Sequence, residues 1–517
     1  MKTSNKVLAA AVAALCAGVA LNAGAAPKKK EKTIGEINQR PVVIQPDQKV
    51  EASSQRAMEN YRRFLELQKT DPQLRAEALR RLGDLNMEAG EGDRLATEAG
   101  SVEAQGGEAI KLYTSLLKSY PDYPRNDQVL YQLARAYETT GQPEKALASL
   151  DDILRRYPRS PQMDEVQFRR GELLFSARQY PPAEQAYGFV VKKGETSTYL
   201  TQSLYKHGWS LFKQGLNEES LPSFAGVLDR TMLTKQTRKL IPVDKLPRAA
   251  RELADDTLRV MSITFSYDDD SVAAIDRFLA GHNNPAYAPI IYSRLGDLYV
   301  EKERFQDAAA VYRAYATREP NSEYSPGLSQ QAIEAYRKGG FTTLVLEGKR
   351  EYVALYNYGT TFWQGRNKAD YPNIAKELKL NLKDVATYFH ANAQKSKKAD
   401  EFLEAARWYR TYLESFPDDP ESFGTNYLLS ETLYSAEDYQ GAAAEFTRTA
   451  YNYPRNQRSA AAAYAALGSF AKYEEKLDPA ARAEAHKLAV DAGVKFGTSF
   501  PEHPDSAGVL TRAAEDI

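Results

Sequence analysis

An all-α fold, specifically an α-solenoid wound as a right-handed superhelix of stacked helical hairpins, is what this sequence predicts. Three observations carry that prediction. Apolar residues recur at helical rather than strand spacing along almost the whole chain. A common arrangement of small, aromatic and proline residues returns many times. The aromatic-proline pairs also keep a regular distance: Tyr120-Pro121 and Tyr157-Pro158 are 37 residues apart, and so are Phe416-Pro417 and Tyr453-Pro454. A length of 517 residues with 43% apolar composition would by itself suggest about three or four globular domains, but an internal period of this size overrides that prior.

The first residues are not part of the array. Lys2 and Lys6 precede an apolar run from Val7 to Leu21, and Ala23-Gly24-Ala25 follows as a small-residue cleavage pattern. Residues 1–25 therefore read as a secretory signal peptide, cut after Ala25. The run is shorter than the roughly 20 residues a bilayer span needs. Cys16 is the only cysteine, and bulky Leu15 before it argues against lipid attachment. Cleavage after Ala25 leaves a mature chain with no disulfide, thiolate ligand or cysteine nucleophile. Residues 26–52, opening on Lys28-Lys29-Lys30-Glu31-Lys32, read as a disordered basic and polar linker.

The hairpins begin at residue 53. In the stretch from Asn126 to Pro158, Leu130, Leu133, Ala134 and Tyr137 share one helical face, Gly141 breaks the helix, and Ala146, Leu150 and Ile153 resume the pattern. Neither short helix could bury its face alone, so the two pair. The fullest copy has Tyr292, Leu295, Gly296, Tyr299, Phe305, Ala308, Tyr312 and Pro320: the small residues admit close helix approach and the rings fill the space between hairpins. An early copy has Leu82-Gly83, an inserted loop around Glu88 to Gly107, then Ala109, Tyr113 and Pro121. Others run through Gly171, Tyr180, Ala183 and Tyr187, and through Leu204, Gly208, Gly215 and Phe224. Late copies hold Ala405, Tyr409 and Pro417, then Leu429, Tyr439, Ala442, Phe446 and Pro454. The pattern divides the chain into an N-terminal array at 53–232, a degenerate hairpin at 233–288, a hairpin at 289–320, a degenerate helical region at 321–379 and a C-terminal array at 380–517. About ten helix pairs are expected, with Gly339-Gly340 and Gly359 as local breaks where the superhelix bends. The helix from Ser506 onward reads either as a cap or as the opening of a further hairpin in a longer protein.

These residues resemble the tetratricopeptide repeat, whose consensus places a large residue, Leu-Gly, Tyr, then Ala, an aromatic and Pro within a period of about 34 residues. The Tyr-Pro closure and the 37-residue spacing are similar to those of bacterial cell-envelope members of that family. Among these are the lipoprotein subunit of the outer-membrane barrel assembly machinery and the periplasmic partner of the Tol system. The resemblance implies a concave groove lined by the first helix of each hairpin. Carried over position by position, the groove residues are Tyr131 and Arg135, then Phe168, Glu172 and Phe175, then Tyr205, Trp209 and Phe212, and later Tyr427, Glu431 and Tyr434. Aromatic side chains of this kind are enriched at binding hot spots, although neighbouring hairpins burying the same rings would make them core. The Lys and Asn pairs with which some family members grip a terminal carboxylate are not at these positions.

No catalytic constellation stands out. The five histidines, His207, His282, His390, His486 and His503, have no metal-ligand spacing. Phosphate-binding and nucleophile-elbow motifs are missing too, and a helical chain is the wrong setting for them. Asp268-Asp269-Asp270 lacks the rest of a calcium loop and fits helix capping by Asp270. With 68 basic against 69 acidic residues, no net field draws the chain to nucleic acid. The expectation is a non-enzymatic periplasmic scaffold or adaptor with no cofactor and no metal, holding envelope proteins or peptides in an aromatic groove, with peripheral contact to the outer membrane or polysaccharide. Two alternatives are a glycan-associated role in polysaccharide export or peptidoglycan contact, and a helper region of an enzyme whose catalytic module lies beyond Ile517.

Overall fold

The computed structural model describes residues 51–95 and 99–516. The expected signal peptide and nearly all of the expected linker fall outside them. Among the described residues the chain forms 22 α-helices, and its one strand-like contact is an isolated antiparallel bridge between Leu233 and Leu240. No helix among them is long and apolar enough to cross a membrane. The architecture is an all-α tandem of helical hairpins, an α-solenoid. The chain divides into two compact units, residues 1–141 and 142–517.

The first unit contains α1 (Glu51–Leu67), α2 (Pro72–Leu95), α3 (Ala99–Ser119) and α4 (Asn126–Thr139). Its core gathers Ala76, Met87, Ala109, Tyr113, Leu116, Val129 and Leu133. The loop expected around Glu88 to Gly107 is corrected here. The extra residues continue α2 through Leu95 and start α3 at Ala99, because Glu, Ala, Arg and Leu in this stretch favour helix over an open insertion.

The second unit continues with α5 (Pro143–Arg156), α6 (Met163–Ser176), α7 (Tyr180–Lys193), α8 (Leu200–Lys213), α9 (Asn217–Thr231), α10 (Arg248–Phe265) and α11 (Ser271–Gly281). Then come α12 (Ala288–Glu301), α13 (Phe305–Arg318), α14 (Ser325–Lys338), α15 (Thr342–Tyr356), α16 (Pro372–Ser396) and α17 (Ala399–Ser415). The last are α18 (Ser422–Ser435), α19 (Tyr439–Tyr451), α20 (Ser459–Lys476), α21 (Pro479–Ser499) and α22 (Ser506–Glu515). In the first unit α2 and α3 form a hairpin and α4 packs on α3; in the second, from α6 to α21, the helices alternate as first and second members of successive hairpins. Two extended cores run through the unit: one from Leu221 to Tyr336, the other from Ile333 to Phe500.

Three local devices repeat. Inside several hairpins of the second unit the turn passes through one left-handed residue, Gly215 and Gly340 in some copies and Arg178, Glu303 and Glu437 in others. The next N–H closes back on the first helix, as from Arg304 to Tyr299 O at 2.8 Å and from Asp438 to Leu433 O at 3.0 Å. Gly339-Gly340 breaks the helix as a hairpin turn of the same kind. Between hairpins, the carbonyl just before the closing proline accepts a side-chain hydrogen bond from six residues on: Asn126 to Tyr120 O at 2.9 Å, Ser325 to Glu319 O at 2.6 Å, Ser422 to Phe416 O at 2.7 Å and Ser506 to Phe500 O at 2.5 Å. Proline removes the donor that would continue the helix, and the buried Ser or Asn satisfies the carbonyl left behind. Asp270 caps α11, accepting the Ala273 N–H at 3.0 Å.

The third device joins the two helices of a hairpin. A second-helix Tyr ring lies directly on a first-helix Gly: a Cβ at Gly296 would stand 2.2 Å from Tyr312, one at Gly171 2.6 Å from Tyr187 and one at Gly83 2.5 Å from Tyr113. Each Tyr hydroxyl then donates to the acidic residue after that glycine: Tyr312 to Asp297 at 2.7 Å, Tyr187 to Glu172 at 2.6 Å and Tyr113 to Asp84 at 2.8 Å. Where the second helix offers Phe224, which has no hydroxyl, the residue after Gly208 is Trp209. The pair α14 and α15 inverts the arrangement, with Gly348 on the second helix facing Ile333 on the first, which explains why its sequence looks degenerate.

Candidate partner-binding cleft

Residues expected to line a groove occupy the sixth, tenth and thirteenth positions of first helices. In the first unit, Tyr131 is 4% exposed and offers no free ring, which corrects its assignment to an open surface; Arg135 is half-buried and donates to Gln132 at 3.2 Å.

In α6 and α8 the aromatic residues are half-buried and pack on one another and on the next hairpin. Phe168 stacks on Tyr199 with centroids 5.1 Å apart, and Phe175 meets Tyr180 edge-on at 5.4 Å beneath the Lys206 ammonium. Trp209 contacts Phe212 at 5.6 Å and Phe224 at 6.4 Å, both edge-on. Phe212 stacks on Tyr267, and the Tyr205 hydroxyl donates to Asp256 of α10. Burial and that carboxylate push the Tyr205 hydroxyl up to about 12. Glu172 accepts from Tyr187 and pairs with Lys206 at 3.2 Å, so its carboxylate is consumed by the fold. This stretch joins hairpins rather than forming an open groove.

The third set is placed differently. Tyr427, Glu431 and Tyr434 of α18 line a cleft of about 820 Å³. Its opposite wall is α20, with Tyr464, Ala465, Gly468, Ala471 and Glu474. From α21 come His486, Ala489, Val490 and Gly493; from α22, Val509 and Arg512; from α16, His390 and Gln394. Tyr434 and Tyr464 are 38% and 44% exposed, large rings left facing solvent inside a concavity. Tyr427 is fixed edge-on against Phe446 at 5.5 Å and carries the Arg458 guanidinium 4.2 Å from its centroid. Tyr464 is braced by Phe496 at 5.7 Å and stacks on His503 at 5.4 Å. The rings are thus preorganised, and their exposed faces converge on one space.

The cleft exists because α20 is small where α8 is large. Gly468, the tenth residue of α20, stands in the register of Trp209, and a Cβ there would meet nothing within 4 Å. Tyr464, the sixth residue of α20, lies 37 positions after Tyr427 in the same register; the degenerate Ala-rich sequence around it hid the repeat. His390, Glu474, His486 and Arg512 carry no sequence signal, since none stands at the sixth, tenth or thirteenth position of a first helix.

Its polar groups are unevenly matched. Glu474 faces His486 Nδ1 at 3.2 Å, and His390 Nδ1 lies 3.0 Å from the Tyr409 hydroxyl, with burial lowering the His390 pKa. Glu431 makes no hydrogen bond or ion pair among the described residues. The side chain is exposed to the cleft, and partial burial by the walls raises its carboxyl above its ordinary value, an effect partly offset by the charge of Arg458. The described residues hold no group of three or more His, Cys, Asp or Glu side chains able to take a metal ion.

Two stretches, 103–167 and 269–323, match family models described as tetratricopeptide repeat. The chain contains tetratricopeptide repeats. Among solved structures it is similar to a tetratricopeptide repeat protein from Parabacteroides merdae, at 13% identity over 58% of this chain and 98% of that one, with a TM-score of 0.28. It is also similar to BtubC (BKLC) from P. vanneervenii, at 19% identity over 45% and 90% of the two chains with a TM-score of 0.29. A structure of Naa15/Naa10 bound to HypK-THB matches at 15% identity over 89% of this chain and 67% of that one, with a TM-score of 0.29. No curated protein matches the chain.

Proposed function

We propose that this tetratricopeptide-repeat protein is an exported scaffold of the bacterial envelope that holds an extended segment of a partner protein in the cleft between α18 and α20. One observation carries the reading: Tyr434 and Tyr464 are braced from behind yet exposed toward a common concavity large enough for several side chains. Rigid aromatic rings lose little conformational freedom on binding, and buried polar-tipped aromatics dominate the energetics of protein interfaces. The volume falls within the roughly 300–1,000 Å³ of ordinary ligand sites. Export rests on the charged, apolar and small-residue segments of residues 1–25.

Gly468→Phe tests the cleft. Space is open at that position, so a ring there fills the cavity without displacing its walls. In vivo crosslinking through a photoreactive residue at Tyr434 is expected to capture a partner in the wild type and to lose it in Gly468→Phe, with circular dichroism unchanged. An identical crosslinking pattern in both would refute the cleft as the docking site. Fractionation of cells expressing the full chain and a chain lacking residues 2–25 tests export: the first is expected in the periplasm, and its retention in the cytoplasm would refute the compartment.

A further inference from the structure

In α18 and α19 the hairpin device is broken in one specific way. Ser430 stands at the ninth position of the first helix, as Gly171 and Gly296 do where they accommodate a tyrosine ring, and Glu431 follows it as Glu172 and Asp297 follow those glycines and Asp84 follows Gly83. The second-helix residue in register, however, is Phe446. The hydroxyl that engages the acid in the three other hairpins is missing, while the acid has been kept. At Phe224, the comparable case, the acid is missing too and Trp209 takes its place. Glu431 therefore has no partner to serve within the fold, and it opens onto the cleft.

The other charges there leave it unmatched. Glu474 has His486, and Arg512 and Asp516 sit one helical turn apart at the far wall. Arg458, whose charge reaches Glu431, is held over the Tyr427 ring and forms no ion pair with it. Tyr427 lies four residues before Glu431 and Tyr434 three after it, about one helical turn on either side, so all three share one face of α18; Tyr427 already carries Arg458, and the Tyr434 ring is the one left open beside the carboxylate. We propose that Glu431 and the neighbouring exposed ring of Tyr434 form a subsite for a basic side chain, Lys or Arg, of an extended partner peptide. This rests on the docking role proposed for the cleft and specifies its chemistry: the cation meets a carboxylate that needs no separation from another partner, and its aliphatic stem lies along the Tyr434 ring.

The test uses the full mature chain and a phage-displayed random dodecapeptide library, with Gly468→Phe as the blocked control. Wild type is expected to enrich peptides that share a Lys or Arg at one fixed position, and Gly468→Phe to lose them. Glu431→Gln is expected still to enrich peptides that Gly468→Phe does not, but without the fixed basic residue. Phe446→Tyr, which restores a hydroxyl opposite the acid as in Tyr312 and Asp297, is expected to act like Glu431→Gln without disturbing the fold. By fluorescence anisotropy, the leading wild-type peptide is expected to bind Glu431→Gln about tenfold more weakly, a difference of about 1.4 kcal/mol. Cleft-dependent peptides lacking a basic residue, or the same basic motif selected by Glu431→Gln, would overturn the subsite and leave the docking role standing. No cleft-dependent enrichment at all would overturn both.

Discussion

The aromatic stretches of α6 to α8 and of α18 to α20 occupy the same register of the same repeat, yet one is packing and the other lines a cleft. The difference lies in their neighbours. Around Phe212 and Tyr205 the next hairpin supplies Tyr267 and Asp256, a ring and a carboxylate that cover them. Opposite Tyr434 the next first helix supplies Gly468 and Ala471, which leave the space empty. A binding surface in a repeat array is thus decided less by the residue that points into the groove than by the size of the residue facing it from the following repeat.

The largest expected effect sharpens that contrast. Trp209→Ala removes a ring held between Phe212 and Phe224 and is expected to cost about 2–4 kcal/mol in chemical denaturation. Tyr434→Ala, at an exposed ring in the cleft, is expected to change stability by no more than about 0.5 kcal/mol. Equal losses would mean that the two stretches are packed alike.

Glycines at two first-helix positions give the next contrast. Gly296→Ala drives a methyl group into the Tyr312 ring and is expected to destabilise by about 1–3 kcal/mol. Gly468→Ala adds a methyl group in open space within a helix and is expected to stabilise by about 0.4–1 kcal/mol through the unfolded chain. Thermal unfolding of the two variants should move in opposite directions, and a shared direction would contradict the emptiness at Gly468.

A smaller effect separates the closed hairpins from the open one. Tyr312→Phe removes a hydrogen bond to the carboxylate of Asp297 and is expected to cost about 1–2 kcal/mol, tempered by the partial exposure of the acceptor. Phe446→Tyr adds the corresponding bond and is expected to be neutral or slightly stabilising. A matching loss from both substitutions would show that Glu431 is not within reach of that second-helix position.

Much of the fold was legible because close packing leaves a strict residue code: Gly296 with Tyr312, the left-handed turn at Gly141 and the aromatic-proline closures each follow from one steric or hydrogen-bonding need. The cleft was legible only in part. Tyr427, Glu431 and Tyr434 follow from the register, but whether a ring at that register is covered depends on residues 37 positions away, and Ala-rich α20 gives few landmarks by which to align them. The same limit explains Glu172: in isolation it is an acidic groove residue, and only its register with Tyr187 shows that the fold already uses it.

The pH response is expected to be the smallest effect, and its sign distinguishes a carboxylate used by the fold from a free one. In the first unit, hydrogen bonding to Arg80 holds the Glu77 carboxyl down to about 2, with Tyr123 and the charge of Arg125 adding to it. The unfolded chain binds that proton more readily, so the contribution of Glu77 is present at neutral pH and fades as pH falls from the ordinary carboxylate range toward about 2. Glu431 is shifted the other way, by burial, and there the folded chain binds the proton more readily. Its ionisation is thus slightly unfavourable to folding, a penalty absent at low pH that grows as pH rises through the raised value. Arg458 opposes this penalty, the buried Tyr409 hydroxyl feels the charge of Glu431, and His390 and the paired Glu474 and His486 face the same space. Measured against pH, Glu77→Gln should be less stable than wild type at neutrality and converge with it in acid. Glu431→Gln should converge in acid as well, but from the more stable side. A neutral-pH loss of stability in Glu431→Gln would show that the acid has a partner in the fold and is not available to a cationic guest.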